Sequence, residues 1–325
     1  KSKTLVLPDH FRFAVPAVMH GASSGDSLWL VGRSIDASPT QVSVIEVSNL
    51  LTTMDVADYD MVDAAVAGYD DADQPGNKDI ALFGPAFRSA QWRDGRLVTA
   101  THGQSLRDPA ESDVFWHEFD TTSASPAVAQ TGVVDPGQGV WAYYPTIAIA
   151  PDGELGLTYM QSSSSEYMSM YVTGQTSDDP SGQMQTAELA KAGVASVSFG
   201  KFVSAPYEPS NSSITVDPGD GSFWAAGEYA GQIAKGGKDP NWATWISKFS
   251  VESDGPPPPP ALSIDDLSVT EGDSGSTVAR FTVTRTGDSS QQVTVEASTA
   301  DGSATAGSDY VAISPTKLNL APNVM

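Results

Sequence analysis

The sequence predicts an all-β chain of two units joined by a stiff spacer, and three observations predict it. Short apolar runs rich in Val, Ile, Trp and Tyr are punctuated by Gly, Asp, Pro and Ser, the pattern of strands between tight turns. Helical periodicity is scarce: residues 186–192 carry one helical turn set and 57–67 a weaker second. Five consecutive prolines, Pro256 to Pro260, can enter neither a helix interior nor a central strand and form a polyproline II rod. The division that follows is 1–253 for the first unit, 254–260 for the linker and 261–325 for the second.

Within the first unit a degenerate motif recurs: an apolar strand, a turn built on Asp and Gly, and a second strand with bulky residues. It appears at Gly25-Asp26-Ser27-Leu28-Trp29, Trp92-Arg93-Asp94-Gly95-Arg96-Leu97, Ile149-Ala150-Pro151-Asp152-Gly153-Glu154-Leu155 and Val216-Asp217-Pro218-Gly219-Asp220-Gly221-Ser222-Phe223-Trp224. Each step alone is a hairpin turn in which Gly supplies a positive φ. The turn glycines 95, 153 and 221 lie 58 and 68 residues apart, somewhat longer than the roughly 40–50 residues of common blades, and their recurrence predicts a β-propeller-like domain of about four visible blades, with any further blades either upstream or without a visible signal.

In the second unit period-2 alternation predicts an antiparallel sandwich. Ala279, Phe281 and Val283 point inward while Arg280, Thr282 and Thr284 face water, and Val293, Val295 and Ala297 repeat the pattern after Gly287-Asp288. The chain stops at Met325, so this sandwich is expected to be incomplete at its C-terminal end.

Forty acidic residues against 17 basic ones in 325 give a net charge of −23. That balance excludes a nucleic-acid binder, which must neutralise phosphates. The surplus is shared, with −5 in residues 261–325 and −18 before them, so it is no detachable tail. The absence of cysteine excludes a disulfide scaffold, a thiolate metal site and a cysteine nucleophile. No apolar run reaches the roughly 18 residues of a membrane span. The chain opens at Lys1 and reads as a mature or excised segment, with additional domains of the same polypeptide expected.

Several motifs touch on chemistry. Gly25-Asp26-Ser27-Leu28 and Gly21-Ala22-Ser23-Ser24-Gly25 spell serine-hydrolase blocks, yet a nucleophile elbow needs a strand before it and a helix after it, and no Asp-x-x-His occurs. In Asp70-Asp71-Ala72-Asp73-Gln74-Pro75-Gly76-Asn77-Lys78-Asp79, acids alternate around a glycine as in a calcium loop. Leu82 stands where the bidentate acid belongs, which favours an inter-blade loop. Trp141, Tyr143 and Tyr144, with Trp116 upstream, are either a sugar-stacking platform or packing between blades. Six arginines of the first unit, Arg12, Arg33, Arg88, Arg93, Arg96 and Arg107, are available to grip an anion if they converge.

Two resemblances rest on these residues. Tyr144-Pro145-Thr146-Ile147-Ala148-Ile149-Ala150-Pro151-Asp152-Gly153, the stretch from Ile214 through Tyr229, and Asn241-Trp242-Ala243-Thr244-Trp245-Ile246 resemble blades of sialidase-like β-propellers in large secreted bacterial proteins. The Asp-box itself, Ser-x-Asp-x-Gly-x-Thr-Trp, is not matched. The second unit resembles a Calx-β domain, through Val269-Thr270-Glu271-Gly272-Asp273 and Asp301-Gly302-Ser303-Ala304-Thr305-Ala306-Gly307-Ser308-Asp309-Tyr310. That resemblance implies an immunoglobulin-like sandwich and calcium at one end, held by Glu271 and Asp309, while Asp301 holds its turn. Calcium takes six to eight oxygens, so these two acids alone make an incomplete site.

The resulting expectation is part of an exported, extracellular or cell-surface protein that adheres to or binds glycans or extracellular matrix. The alternative is an exo-acting glycoside hydrolase of the sialidase type. No catalytic residue is assigned. Three arginines and a Tyr-Glu or carboxylate pair in one pocket would favour the enzyme, and scattered arginines the binder.

Overall fold

The structure is a computed structural model. It describes residues 4, 7, 11–23, 25–34, 41–63, 69–76, 79–82, 84, 87–197, 212–231, 242–252, 261–270, 272, 274–286 and 292–320; for 11–13, 34, 62–63, 242 and 286 only the backbone is described. The proline linker lies outside the described residues. The chain divides into two compact units, Lys1–Glu252 and Ser253–Met325. Among the described residues all regular structure is β, with no helix.

Unit 1 consists of successive antiparallel meanders. The first runs through β1 (Phe11–His20), β2 (Leu28–Ser34), β3 (Gln41–Ser48) and β4 (Asp55–Asp63), the second through β5 (Ala90–Arg93), β6 (Arg96–Gln104), β7 (Ser112–Asp120) and β8 (Ala127–Val134). The third comprises β9 (Val140–Ile149), β10 (Leu155–Ser163), β11 (Glu166–Gln175) and β12 (Glu188–Lys191), and the fourth β13 (Ser213–Val216), β14 (Phe223–Ala230) and β15 (Trp242–Phe249). Each recurrent Asp-Gly motif falls at the turn between the first and second strands of a meander.

The sharpest of these turns is Asp94-Gly95. Both residues have positive φ, 49° and 84°, as a two-residue hairpin whose twist matches its strands requires. A side chain at Gly95 would also stand 2.4 Å from Thr122 Cγ2, so the position excludes a Cβ twice over.

The first two meanders fuse into one eight-stranded sheet, β4-β3-β2-β1-β5-β6-β7-β8, curled as a half-barrel. The fusion is made by β1, which pairs antiparallel with β2 as far as Pro16↔Leu30 and then parallel with β5 from Ala17↔Ala90 to His20↔Arg93. The change of partner falls at a proline, which has no N–H for a ladder. β9 lies beside β5 and β13 beside β9, so the first strands of consecutive meanders are neighbours.

Apolar layers between the sheets hold the array together. Trp29, Val31, Val42 and Val44 of the first meander pack on Phe87, Trp92, Leu97 and Phe119. Val98, Val114 and Trp116 of the second pack on Ile147, Leu155, Leu157 and Tyr159 of the third. The third then packs Met170 and Val172 on Ile214, Phe223 and Val251. Each fully buried aliphatic or aromatic side chain contributes about 1.5–3 kcal/mol. Sheet approach is close enough that a Cβ at Gly156 would sit 2.6 Å from the Phe223 ring.

The two helical expectations are overturned. Residues 57–67 fall largely on β4, which pairs with β3 from Ser48↔Asp55 to Gln41↔Asp63. Residues 186–192 contain β12, paired with β11 through Tyr171↔Leu189. In both segments an open sheet edge offered a row of backbone partners, and those outweigh the weak helix propensity of a few Ala and Leu.

Unit 2 has four described strands in two two-stranded sheets, β16 (Ala261–Ile264) with β17 (Val283–Thr286) and β18 (Val293–Ala297) with β19 (Thr316–Leu320). The expected alternation holds in β18, where Val293, Val295 and Ala297 are half-buried between exposed neighbours. It fails for Ala279 and Phe281, which precede β17 and are exposed. Ile264, Val278, Phe281 and Val311 lie open to solvent, the side chains that a second layer of a sandwich would cover.

Candidate functional site

The candidate site is built around a break in β9. Along β9 and β10, Thr146 pairs with Thr158 and Tyr143 with Met160, so Tyr144 and Pro145 together oppose Tyr159 alone. This is a β-bulge, with Pro145 at the position that needs no ladder donor. Tyr144 is thereby held at φ 53°, a conformation that costs a non-glycine residue about 1–3 kcal/mol. Its carbonyl accepts the Ser212 hydroxyl at 2.7 Å, and its amide donates to His102 Nδ1 at 3.4 Å. The latter bond leaves Nε2 of a neutral His102 as the protonated nitrogen.

Aromatic and cationic side chains from four further segments converge on this bulge. The His102 ring, on β6, meets Tyr144 edge-on at 4.8 Å and Tyr69 at 5.5 Å. Arg88, just ahead of β5, places its guanidinium 4.9 Å from the Tyr144 ring centre. Arg33, at the end of β2, is within electrostatic reach of Tyr69. Burial raises the Tyr69 phenol above its ordinary range, with Tyr144 adding to the effect and Arg33 and Arg88 opposing it. Burial lowers Arg33, and Tyr69 partly restores it. His102 and Tyr144 are fully buried, while Arg33, Tyr69 and Arg88 are half-buried and form the reachable side of the cluster.

Arg12 is the register partner of Arg33 across β1 and β2, and its side chain lies outside the described residues. The remaining arginines of unit 1 are committed elsewhere: Arg93 donates to the Ile149 carbonyl, Arg96 is bound to Glu118 and Arg107 to Asp135. Among the described side chains two arginines, Arg33 and Arg88, converge on this cluster.

The aromatic residues singled out from the sequence are turned inward. Tyr143 and Tyr144 are fully buried and Trp141 is 8% exposed; all three sit in a core with Met160, Met168 and Val197. The Tyr143 hydroxyl is tied to Ser162 at 3.0 Å and the Trp141 indole to the Ala110 carbonyl at 3.0 Å. Trp116 is fully buried too.

Residues 70–82 cap this same core. Ala72 and Ile80 bridge to each other and are buried in it. The Gln74 amide makes both bonds to Val197, donating to its carbonyl at 2.7 Å and accepting its amide at 2.8 Å. The Gly25-Asp26-Ser27-Leu28 segment is a turn leading into β2, in which the Ser27 hydroxyl donates to Glu46 at 2.6 Å.

In unit 2, Glu271 lies outside the described residues. Asp309 is exposed, and its Oδ2 accepts the Thr305 amide at 2.7 Å and the Ser308 hydroxyl at 3.2 Å. Asp301 accepts the Ala306 amide and the Tyr310 hydroxyl through Oδ1, which hold its carboxyl below the usual range. Both acids thus organise the turn. No group of three His, Cys, Asp or Glu side chains fit to hold a metal occurs among the described residues, so those residues alone do not make a calcium site.

Sequence reasoning did not single out Tyr69, His102 or Ser212. One local signal was available: an aromatic residue directly before proline, inside an otherwise continuous β run, marks a bulge.

The chain is thus an all-β protein whose second unit carries the strand alternation of a sandwich. Residues 262–322 match the Calx-beta domain family, whose members are generally calcium-associated and occur in extracellular or membrane-associated proteins. No curated protein matches the chain. No helix among the described residues is long and apolar enough to cross a membrane.

Proposed function

We propose that the chain is part of an exported adhesion or binding protein whose first unit engages an acidic glycan or matrix polysaccharide, and whose second unit is a spacer module of Calx-β type. The observation that carries this reading is the convergence of Arg33 and Arg88 on Tyr69, His102 and Tyr144, beside a strained bulge. In a chain of net charge −23, two half-buried arginines, one over the Tyr144 ring and one beside Tyr69, are suited to select a carboxylate or sulfate.

The same reading takes the stacked meanders as a propeller-type array, because first strands that neighbour one another and sheets that pack face to face are its construction. It keeps 1–253, 254–260 and 261–325 as array, linker and sandwich. Hydrolysis by a sialidase-type site is the weaker alternative, since among the described side chains two arginines converge and no Tyr-Glu or carboxylate pair stands beside them.

Binding is tested by titrating the full chain with sialyllactose and with a uronic acid tetrasaccharide. We expect binding that Arg88→Ala and Arg33→Ala weaken at least about tenfold, equivalent to about 1.4 kcal/mol. Absence of binding, or binding indifferent to both substitutions, would refute the assignment. Release of free sugar during the titration would favour the hydrolase.

Calcium is proposed for the second unit on the family match together with Glu271 and Asp309. A ligand that binds only the folded state must raise the thermal midpoint. Calcium should do so relative to chelator in the full chain. It should do so less in Glu271→Gln and Asp309→Asn.

A further inference from the structure

A second site stands beyond the other end of β5, where Arg96 at the start of β6 reaches the Asp152-Gly153 turn. A cavity of about 310 Å³ opens there, lined by Arg96, Gln130, Asp152, Gln175, Asp179 and Ser181. It shares no residue with the Arg33 and Arg88 cluster. We propose that it binds a neutral oligosaccharide, as a second contact with a polysaccharide.

The walls are held rigid by a hydrogen-bonded network. Arg96 grips the buried Glu118 with Nε at 2.5 Å and Nη2 at 3.0 Å, and its Nη1 donates to the Gly153 carbonyl at 2.8 Å. The Gln130 amide donates to Glu118 and to Gln175, each at 2.8 Å, and accepts the Gly182 amide at 2.8 Å. Asp179 accepts Thr176 and Gln185. Glycine is favoured at 153 by its φ of 95°, and a Cβ there would also press on the Arg96 guanidinium at 2.6 Å.

The lining selects by charge and polarity. Glu118 neutralises Arg96, so the guanidinium offers its remaining hydrogens as donors without a net cation to attract an anion. Asp152 and Asp179 at the rim repel anions, and both help push the neighbouring Glu154 carboxyl upward after burial. These acids form no metal-binding group of three among the described residues. The lining holds no aromatic or large aliphatic side chain, so an apolar ligand or a peptide side chain finds no surface to bury. What remains exposed is the Ser177 hydroxyl, the Arg96 hydrogens not used by Glu118 and Gly153, and the carboxylates of Asp152 and Asp179, which together both donate to and accept from a sugar's vicinal hydroxyls. Without a stacking ring a single engagement is weak, and a repeating polymer compensates by engaging two sites on one chain.

This inference rests on the glycan reading above but uses different residues, and the test separates them. Cellotetraose, maltotetraose and mannotetraose are titrated calorimetrically into the full chain, and in parallel into Ala129→Trp and Ser177→Trp. Both substitutions are at exposed positions of the cavity wall. At least one neutral probe should bind, each tryptophan should weaken it about tenfold or more with the thermal midpoint unchanged, and Arg88→Ala should have no effect. Binding of none of the three overturns the proposal, as does binding that the tryptophans leave intact or that Arg88→Ala abolishes. If the neutral probes fail while sialyllactose binds through Arg88, this site falls and the glycan reading stands.

Discussion

The guanidinium of Arg88 stands 4.9 Å from the ring centre of Tyr144, and the backbone that presents that ring is held at φ 53°. One residue precedes the second meander and the other lies inside the third, so their contact exists only because β5 and β9 are neighbours. A planar cation over an aromatic face contributes about 0.5–2 kcal/mol, and the bulge costs a similar amount. The arrangement therefore serves to position the pair and adds little net stability.

That balance makes a specific demand on Arg88. Arg88→Lys keeps the charge but loses the planar fork, so it should bind an acidic oligosaccharide nearly as poorly as Arg88→Ala. Isothermal titration of the two variants checks this; full affinity in Arg88→Lys would show that charge alone suffices.

Two buried titratable residues of β7 oppose each other in pH. Burial lowers His117 to about 4, and neither ring nitrogen has a partner among the described residues. Its folded pKa lies below the unfolded value of about 6.5, so stability is lost as pH falls from 6.5 to 4, by about 3 kcal/mol in all. Burial raises Asp113 to about 6; the Ser105 hydroxyl and Leu106 amide exert an opposing pull but lie outside hydrogen-bond geometry. That carboxyl is most favourable below about 3.8 and loses about 3 kcal/mol as pH rises through 6. The two contributions nearly cancel. Asp113→Asn should therefore raise the thermal midpoint at pH 7 and become more acid-sensitive than the parent between pH 6.5 and 4, as thermal scans at several pH values would reveal. Parallel pH profiles for variant and parent would contradict this account.

The Asp94-Gly95 turn admits a backbone test. Gly95→Ala meets both a positive φ and Thr122, and should destabilise unit 1 by about 1–3 kcal/mol. Asp94→Asn should be nearly neutral, because Asn also tolerates the left-handed region. Chemical denaturation midpoints distinguish the two outcomes.

Gln74 ties its segment to Val197, which follows the third meander, through two hydrogen bonds. Gln74→Ala leaves buried backbone groups unpaired and should cost about 2–3 kcal/mol. Limited proteolysis should then cut within residues 70–82 faster than in the parent. Added calcium should not restore protection, since the loop is held by this amide; restoration would reinstate the loop as a calcium site.

Much of the architecture was legible in the residues. The Asp-Gly steps at 94–95 and 152–153 mark hairpins because only certain residues accept their dihedrals, and that constraint is local. The same holds for the alternation of Val293, Val295 and Ala297. Residues 186–192 were misread because the edge of β11, which recruits them as a strand, is distant in sequence from any propensity window.

The site was legible only in part. Tyr144 and the arginines were visible as candidates, but not which arginines meet, nor that Trp141 and Tyr143 face the core. Sequence by itself determined the all-β class, the acidic balance and the Calx-β resemblance of the second unit, because these depend on composition and local pattern. Tertiary structure alone decided that Arg33, Tyr69, Arg88, His102 and Tyr144 gather at one bulge, and that Arg96 is neutralised by Glu118. Such meetings depend on how one sheet packs on the next, and no local stretch of chain encodes that distance.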